Sequence, residues 1–287
     1  SIHHCGDQCS KVVRLLLEAG FHPDGRHGDF VPLQNAAGDD DVCVECTRLL
    51  IDAGAGGLLI RWNQYGDCAM RNILFRASED VDDDESMHLA KVALAACDVQ
   101  DDKHGTTNLC GWAGRRSTKL PRLLVDAGAD VQAANRFGQT ALHMAAGLLD
   151  LYLEEDDEDE EDDLRDSDQH ADLVGWLVSK GARVNARDNG GNTPLHTAAG
   201  LGLTKITAIL LDLGADPILQ NTSGWTSLHA AAQAGCTTLM ARFIDLGIDV
   251  DAKTDDGNTA LHLVSQRGDG SCVRVLLDEG ADINQTN

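Results

Sequence analysis

Gly191-Asn192-Thr193-Pro194-Leu195-His196 is one of four near-copies of a single phrase. The others are Gly138–His143 (GQTALH), Gly224–His229 (GWTSLH) and Gly257–His262 (GNTALH), and the last three of the four begin 33 residues apart. Between them runs a second phrase, an apolar pair followed by Gly-Ala-Asp: Leu210-Leu211 with Gly214-Ala215-Asp216, and Leu276-Leu277 with Gly280-Ala281-Asp282. A fixed period of this size marks an array of stacked units, each too small to bury its own apolar face. Local chemistry reads the same way. Thr140, Thr193, Thr226 and Thr259 stand where a helix N-cap is wanted, since a hydroxyl can accept from an otherwise unpaired N–H. Pro194 follows at the first helical position, where a missing N–H costs nothing. Gly20, Gly54, Gly128, Gly181, Gly214, Gly247 and Gly280 each end a second helix, where a left-handed residue is easiest for glycine. Eight residues before these glycines stand Val12, Cys46, Leu120, Leu173, Ile206, Leu239 and Cys272, all apolar, which predicts a buried stripe.

With the Leu of the phrase as marker, the equivalents are Leu33, Met70, Leu109, Leu142, Leu195, Leu228 and Leu261. An eighth, partial unit precedes them: Ser1–Cys5 reads as the start of a first helix, and Val13–Gly20 as a second. The phrase and its period resemble the ankyrin-repeat family. That resemblance implies an all-α solenoid of about eight helix–turn–helix repeats joined by short β-hairpin fingers, working as a protein-binding scaffold. The repeats fall at 1–26, 27–63, 64–102, 103–135, 136–188, 189–221, 222–254 and 255–287, read as a single domain. The copies degrade toward the N-terminus, where Val31–Gln34, Cys68–Arg71 and Thr107–Cys110 replace T-P-L-H, and Trp112 stands where Ala145 or Ala198 is found elsewhere. The chain begins inside a first helix and ends just after a finger starts, and neither end shows the polar outer face of a terminal cap. It therefore reads as a fragment of a longer array.

The chain has 287 residues, 43% hydrophobic but only 4% aromatic, which suits a core of Leu, Val and Ala on closely packed helices. No apolar run approaches the ~20 residues of a membrane span. Formal net charge is −24, so the phosphates of nucleic acid would be repelled. Nine cysteines, an odd number set mostly at apolar repeat positions, point to a reducing compartment, cytoplasm or nucleus.

The irregular intervals are insertions between the helices of a repeat, and they are acidic: Asp39, Asp40 and Asp41; the segment from Glu79 through Asp82, Asp83 and Asp84 to Glu85; and residues 150–168. The last contains ten consecutive acids, Glu154, Glu155, Asp156, Asp157, Glu158, Asp159, Glu160, Glu161, Asp162 and Asp163. Corresponding loops of a solenoid share an edge, so the three predict one acidic ridge. Without these acids the net charge would be about −5. Such a run is a solvated, self-repelling loop, a docking site for a basic partner, or a weak divalent-cation binder. It lacks the glycine of an EF-hand.

Cys43-x-x-Cys46 looks like a redox or zinc half-site, but Cys46 falls in the buried column and no second Cys/His pair stands at zinc spacing. It reads as structural, and so does the cluster of His3, His4, Cys5 and Cys9. The motif histidines sit one helix-packing distance apart, ~8–10 Å, too far to share a metal. In the family they hydrogen-bond within and between repeats. No nucleophile elbow, phosphate loop or carboxylate pair is present, so no catalytic residue, metal or cofactor is assigned and no enzymatic activity is expected. Partner contacts are expected at finger tips, namely Arg61, Trp62, Tyr65, Lys103, His104, Arg136, Phe137 and Trp225, because Arg and aromatic residues anchor interfaces. Arg115, Leu148 and Arg267, with Leu201 and Ala234, would line the concave helix face. A regulatory or targeting module of a larger enzyme, channel or ubiquitin-ligase adaptor is the alternative reading.

Overall fold

The computed structural model describes residues 7–23, 33, 36–37, 43–55, 59, 69–79, 84–96, 109–114, 118–147 and 163–287. They are all-α, with no strand among them. Fourteen helices follow in order. They are α1 (Asp7–Glu18), α2 (Val44–Asp52), α3 (Ala69–Glu79), α4 (Asp84–Ala96), α5 (Leu109–Ala113), α6 (Lys119–Asp126) and α7 (Ala141–Gly147), then α8 (Asp163–Ser179), α9 (Pro194–Gly200), α10 (Thr204–Asp212), α11 (Ser227–Ala234), α12 (Thr237–Asp245), α13 (Ala260–Arg267) and α14 (Gly270–Asp278).

The chain forms two compact units. One takes in Ser1–Trp112 with Arg116–Asp130, the other Ala113–Arg115 with Val131–Asn287. In the first, α1 meets α2, α2 and α3 meet α4, and α6 packs on α3 and α4. In the second, the short helices α7, α9, α11 and α13 stack in a row, each against the longer helix that follows it. Small residues permit this: Ala145, Ala146, Ala198, Ala199, Ala231 and Ala232 are all fully buried, so neighbouring backbones approach closely. The seven marker residues from Leu33 to Leu261 are buried too, the degenerate N-terminal copies included.

The predicted stripe holds from Cys46 to Cys272, but Val12 is 54% exposed. The less exposed positions along α1 are Ser10, Val13 and Leu17, on a different face of the helix. The seven helix-ending glycines all have positive φ, between 85° and 103°. All but Gly54 close their helix with paired backbone bonds, as when Gly214 N–H donates to Leu211 O and Ala215 N–H to Leu210 O.

Parts of two acidic segments are helical. Glu79 ends α3, while Asp84 and Glu85 open α4. Likewise α8 starts at Asp163, so 163–168 are helical. Asp39, Asp40, Asp41, Asp82, Asp83 and the run from Glu154 to Asp162 lie outside the described residues.

The fingers are tight turns, and one isolated bridge, Ala134 with Thr140, is the sheet-like pairing found among the described residues. Each turn begins at Asn135, Asp188, Asn221 or Thr254, whose carbonyl accepts from Gly138, Gly191, Gly224 or Gly257 three residues on. Those glycines do two jobs. Their φ lies between 74° and 79°, and a Cβ on Gly191 would stand 2.8 Å from the backbone nitrogen of Thr222 in the next finger. Gly214 also has positive φ but faces open space. Gly214→Ala should therefore cost about 1–2 kcal/mol for the left-handed conformation. Gly191→Ala should cost a further ~1–3 kcal/mol for forcing the fingers apart. Equal destabilisation in urea titrations would contradict this contrast.

Candidate partner-binding surface

The surface is best defined in residues 131–287, where four fingers follow one another. Side chains fix each turn: Asn135 Oδ1 accepts from the Phe137 and Gln139 amides at 2.9 and 3.0 Å. Asn221 Oδ1 does the same for Ser223 and Trp225. Adjacent tips are then tied backbone to backbone. Asn189 N–H donates to Phe137 O, Thr222 N–H to Gly190 O, and Asp255 N–H to Ser223 O, at 2.9–3.0 Å. Tip side chains join this tie, with Asn189 Nδ2 donating to Arg136 O at 3.0 Å and Thr222 Oγ1 to Gly190 O at 2.7 Å, while Arg136 and Phe137 stay exposed.

Behind the fingers lies a buried polar spine. The backbone N–H of Thr140, Thr193 and Thr226 donates to Nδ1 of His143, His196 and His229 at 3.1–3.2 Å. The opposite ring nitrogen of each lies 3.0 Å from a carbonyl further along the chain, that of Asn192, Trp225 and Ala252 respectively. An amide pointing at Nδ1 and a carbonyl facing Nε2 require the neutral ring protonated on Nε2. Burial lowers the pKa of all three below the usual 6.5, and the carbonyl bonds offset it only in part. A folded pKa below the unfolded one means that the neutral rings contribute fully above about pH 6.5 and that this contribution fades as pH falls. Unfolding should take up protons there, with a slope of at most about 1.4 kcal/mol per pH unit per histidine. Thermal midpoints measured from pH 7.5 to 5.5 should fall steadily below pH 6.5, and a rise would contradict the assigned ring state.

The expected contact residues take different places. Arg136 and Phe137 form the first described tip, both exposed, with the Arg136 guanidinium carbon 4.7 Å over the Phe137 ring. Trp225 follows the tip glycine on the return arm. It is half-buried, with its ring 6.0 Å from that of His229 and tilted by 46°. The ring packs inward on its own repeat. Arg267 is exposed at the end of α13, where its guanidinium donates to the Gln233 carbonyl. Leu201, on the equivalent turn of α9, is 50% exposed. Arg61, Trp62, Tyr65, Lys103, His104, Arg115 and Leu148 lie outside the described residues. Tip residues that the sequence reading passed over are Asn189, Thr222, Ser223, Asp255 and Asp256, all exposed. The Asn, Asp or Thr three residues before each phrase glycine was the available signal.

Among the described residues no group of three His, Cys, Asp or Glu side chains could hold a metal, and no helix is long and apolar enough to cross a membrane. Arrayed helix pairs joined by laddered fingers and an internally satisfied spine define a repeat protein. The chain belongs to the ankyrin-repeat family: family models described as "Ankyrin repeats (3 copies)" and "Ankyrin repeats (many copies)" match residues 213–287 and 177–231. It is 35% identical over 221 residues to the chicken nuclear factor NF-kappa-B p105 subunit, covering 74% of this chain and 20% of that protein. It is 31% identical over 148 residues to the mouse B-cell lymphoma 3 protein homolog, covering 45% of this chain and 33% of that protein. Human rabankyrin-5 matches at 53% over 45 residues, 16% of this chain and 4% of that one. The chain thus spans a third or less of the length of these relatives. Ankyrin repeats are generally protein-interaction modules.

Proposed function

We propose that the chain is a recognition scaffold that grips its partner with the finger tips and the adjoining ends of the short helices, residues 131–287 supplying the described part. The observation that carries this is the tip ladder, which satisfies the backbones of neighbouring tips against one another and leaves Arg136 and Phe137 outward, Phe137 54% exposed. The tips also change sign along the row, from Arg136 through Thr222 and Ser223 to Asp255 and Asp256. A partner segment with an acidic or aromatic group at one end and a basic group at the other fits that order. Leu201 and Arg267 add an apolar and a cationic contact beside it. The acidic run at 154–163 acts as a recruiting loop for basic partner segments, through fields that reach ~8 Å at physiological salt. The curated relatives named as a nuclear factor and its like support a cytoplasmic or nuclear setting. The small share of p105 that matches favours a module within a larger protein as the second reading.

Peptides selected from a random library on the intact chain test both surfaces. Binding to Arg136→Ala and Phe137→Ala should weaken about tenfold or more, as at an interface anchor. Basic peptides should associate with wild type at rates that fall steeply with salt, and deleting 154–162, which spares α8, should remove most of that dependence. Selected binders indifferent to the two substitutions, to the deletion and to salt would overturn the assignment.

A further inference from the structure

Cys43 and Cys46 occupy the first turn of α2 as its N-cap and third helical residue. The equivalent turn of α14 shows what side chains in these two places do. Its N-cap, Asp269, stands eleven residues before Gly280, as Cys43 stands eleven before Gly54, and Cys272 matches Cys46. The cap backbones coincide, with φ −79° and ψ 94° at Cys43 and φ −82° and ψ 92° at Asp269. In α14 the cap side chain reaches the thiol: Cys272 Sγ donates to Asp269 Oδ2 at 3.2 Å. Capping threonines behave alike elsewhere, with Thr193 Oγ1 2.9 Å from Nδ1 of His196, its own third helical residue. The same frame at the start of α2 carries two thiols three residues apart, Cys43 at the cap and Cys46 in the first turn.

We infer that Cys43 and Cys46 are a redox dithiol, oxidised to an intrachain disulfide by small disulfides of the glutathione class. Cys43 is half-exposed and makes no side-chain capping bond, whereas Cys46 is buried, so the outer thiol meets the oxidant and the inner one resolves it. The Cys43 sulfur attacks one sulfur of glutathione disulfide, forming a mixed disulfide and expelling one glutathione thiolate. The Cys46 sulfur then attacks the Cys43 sulfur, forming the Cys43–Cys46 bond and expelling the second. Two electrons pass to the oxidant, and the two thiol protons finish on the two glutathiones. The product staples the start of α2, whose N-cap amide is already bound to the Ala36 carbonyl. Cys272 is the internal control: burial and the Asp269 carboxylate push its thiol up to about 11, so it stays protonated and unreactive.

The test equilibrates the whole chain with mixtures of reduced and oxidised glutathione, quenches with acid, alkylates and weighs the peptides. The peptide containing residues 43–46 should lose two hydrogens and resist alkylation under oxidising mixtures, while Cys272 remains fully alkylated. Cys46→Ser should trap a glutathione adduct on Cys43, and Cys43→Ser, which leaves a good capping residue, should abolish the loss of two hydrogens. The wild-type measurement stands alone if either variant folds poorly. A wild-type chain that keeps both thiols alkylatable where exposed Cys9 is already glutathionylated would overturn the inference. So would one that stops at an adduct on Cys43, or joins Cys43 to another cysteine.

Discussion

Neighbouring repeats are held in register by a buried imidazole that takes an amide on one nitrogen and offers its proton to a distant carbonyl on the other. His196 is the clearest instance. Its Nδ1 satisfies the Thr193 amide, which no intrahelical bond can reach, and its Nε2 finds the Trp225 carbonyl in the next finger. The ring therefore caps its own helix and fixes where the following finger must lie. A buried polar group left without its partner costs about 1–3 kcal/mol, so an error of register between two repeats is penalised at Nε2 and at the carbonyl it faces.

The finger ladder follows from that placement. Once the next finger is positioned, its tip amide comes within hydrogen-bonding distance of the preceding tip carbonyl, and the phrase glycine has no Cβ to obstruct it. Around this polar spine the alanine-rich row of short helices closes to small separations, and the longer helices supply the larger apolar volume, such as Phe243, Leu210 and Leu173, all fully buried. The tip backbones are satisfied against one another, Asn189 and Thr222 add side-chain bonds between tips, and Arg136 and Phe137 stay exposed.

Much of this was legible from residues alone, for reasons of range. The Thr–His spacing, the helix-ending glycines and the apolar column are local signals, set by interactions three to eight residues apart, and the residues aligned as markers in the degenerate copies, Leu33, Met70 and Leu109, are buried. What escaped depends on neighbours thirty or more residues away or on competing local forces. The second role of Gly191 is visible only once Thr222 is placed against it. Trp225 looked like an exposed anchor because its position beside the tip glycine is readable, whereas the turn of its ring toward His229 is not. Val12 shares the repeat position of Leu239 but not its surroundings. Asp163 opens α8, where composition alone assigned a loop.

The central claim concerns one proton on each of three rings, and nitrogen NMR of the intact chain reads it directly. At neutral pH the imidazoles of His143, His196 and His229 should each show a protonated Nε2 and an unprotonated Nδ1, with the Nε2 proton protected from solvent exchange. Rings protonated on Nδ1, or averaging rapidly between the two forms, would contradict the account, because the threonine amides and the neighbouring carbonyls would then lack the partner that holds the repeats in register.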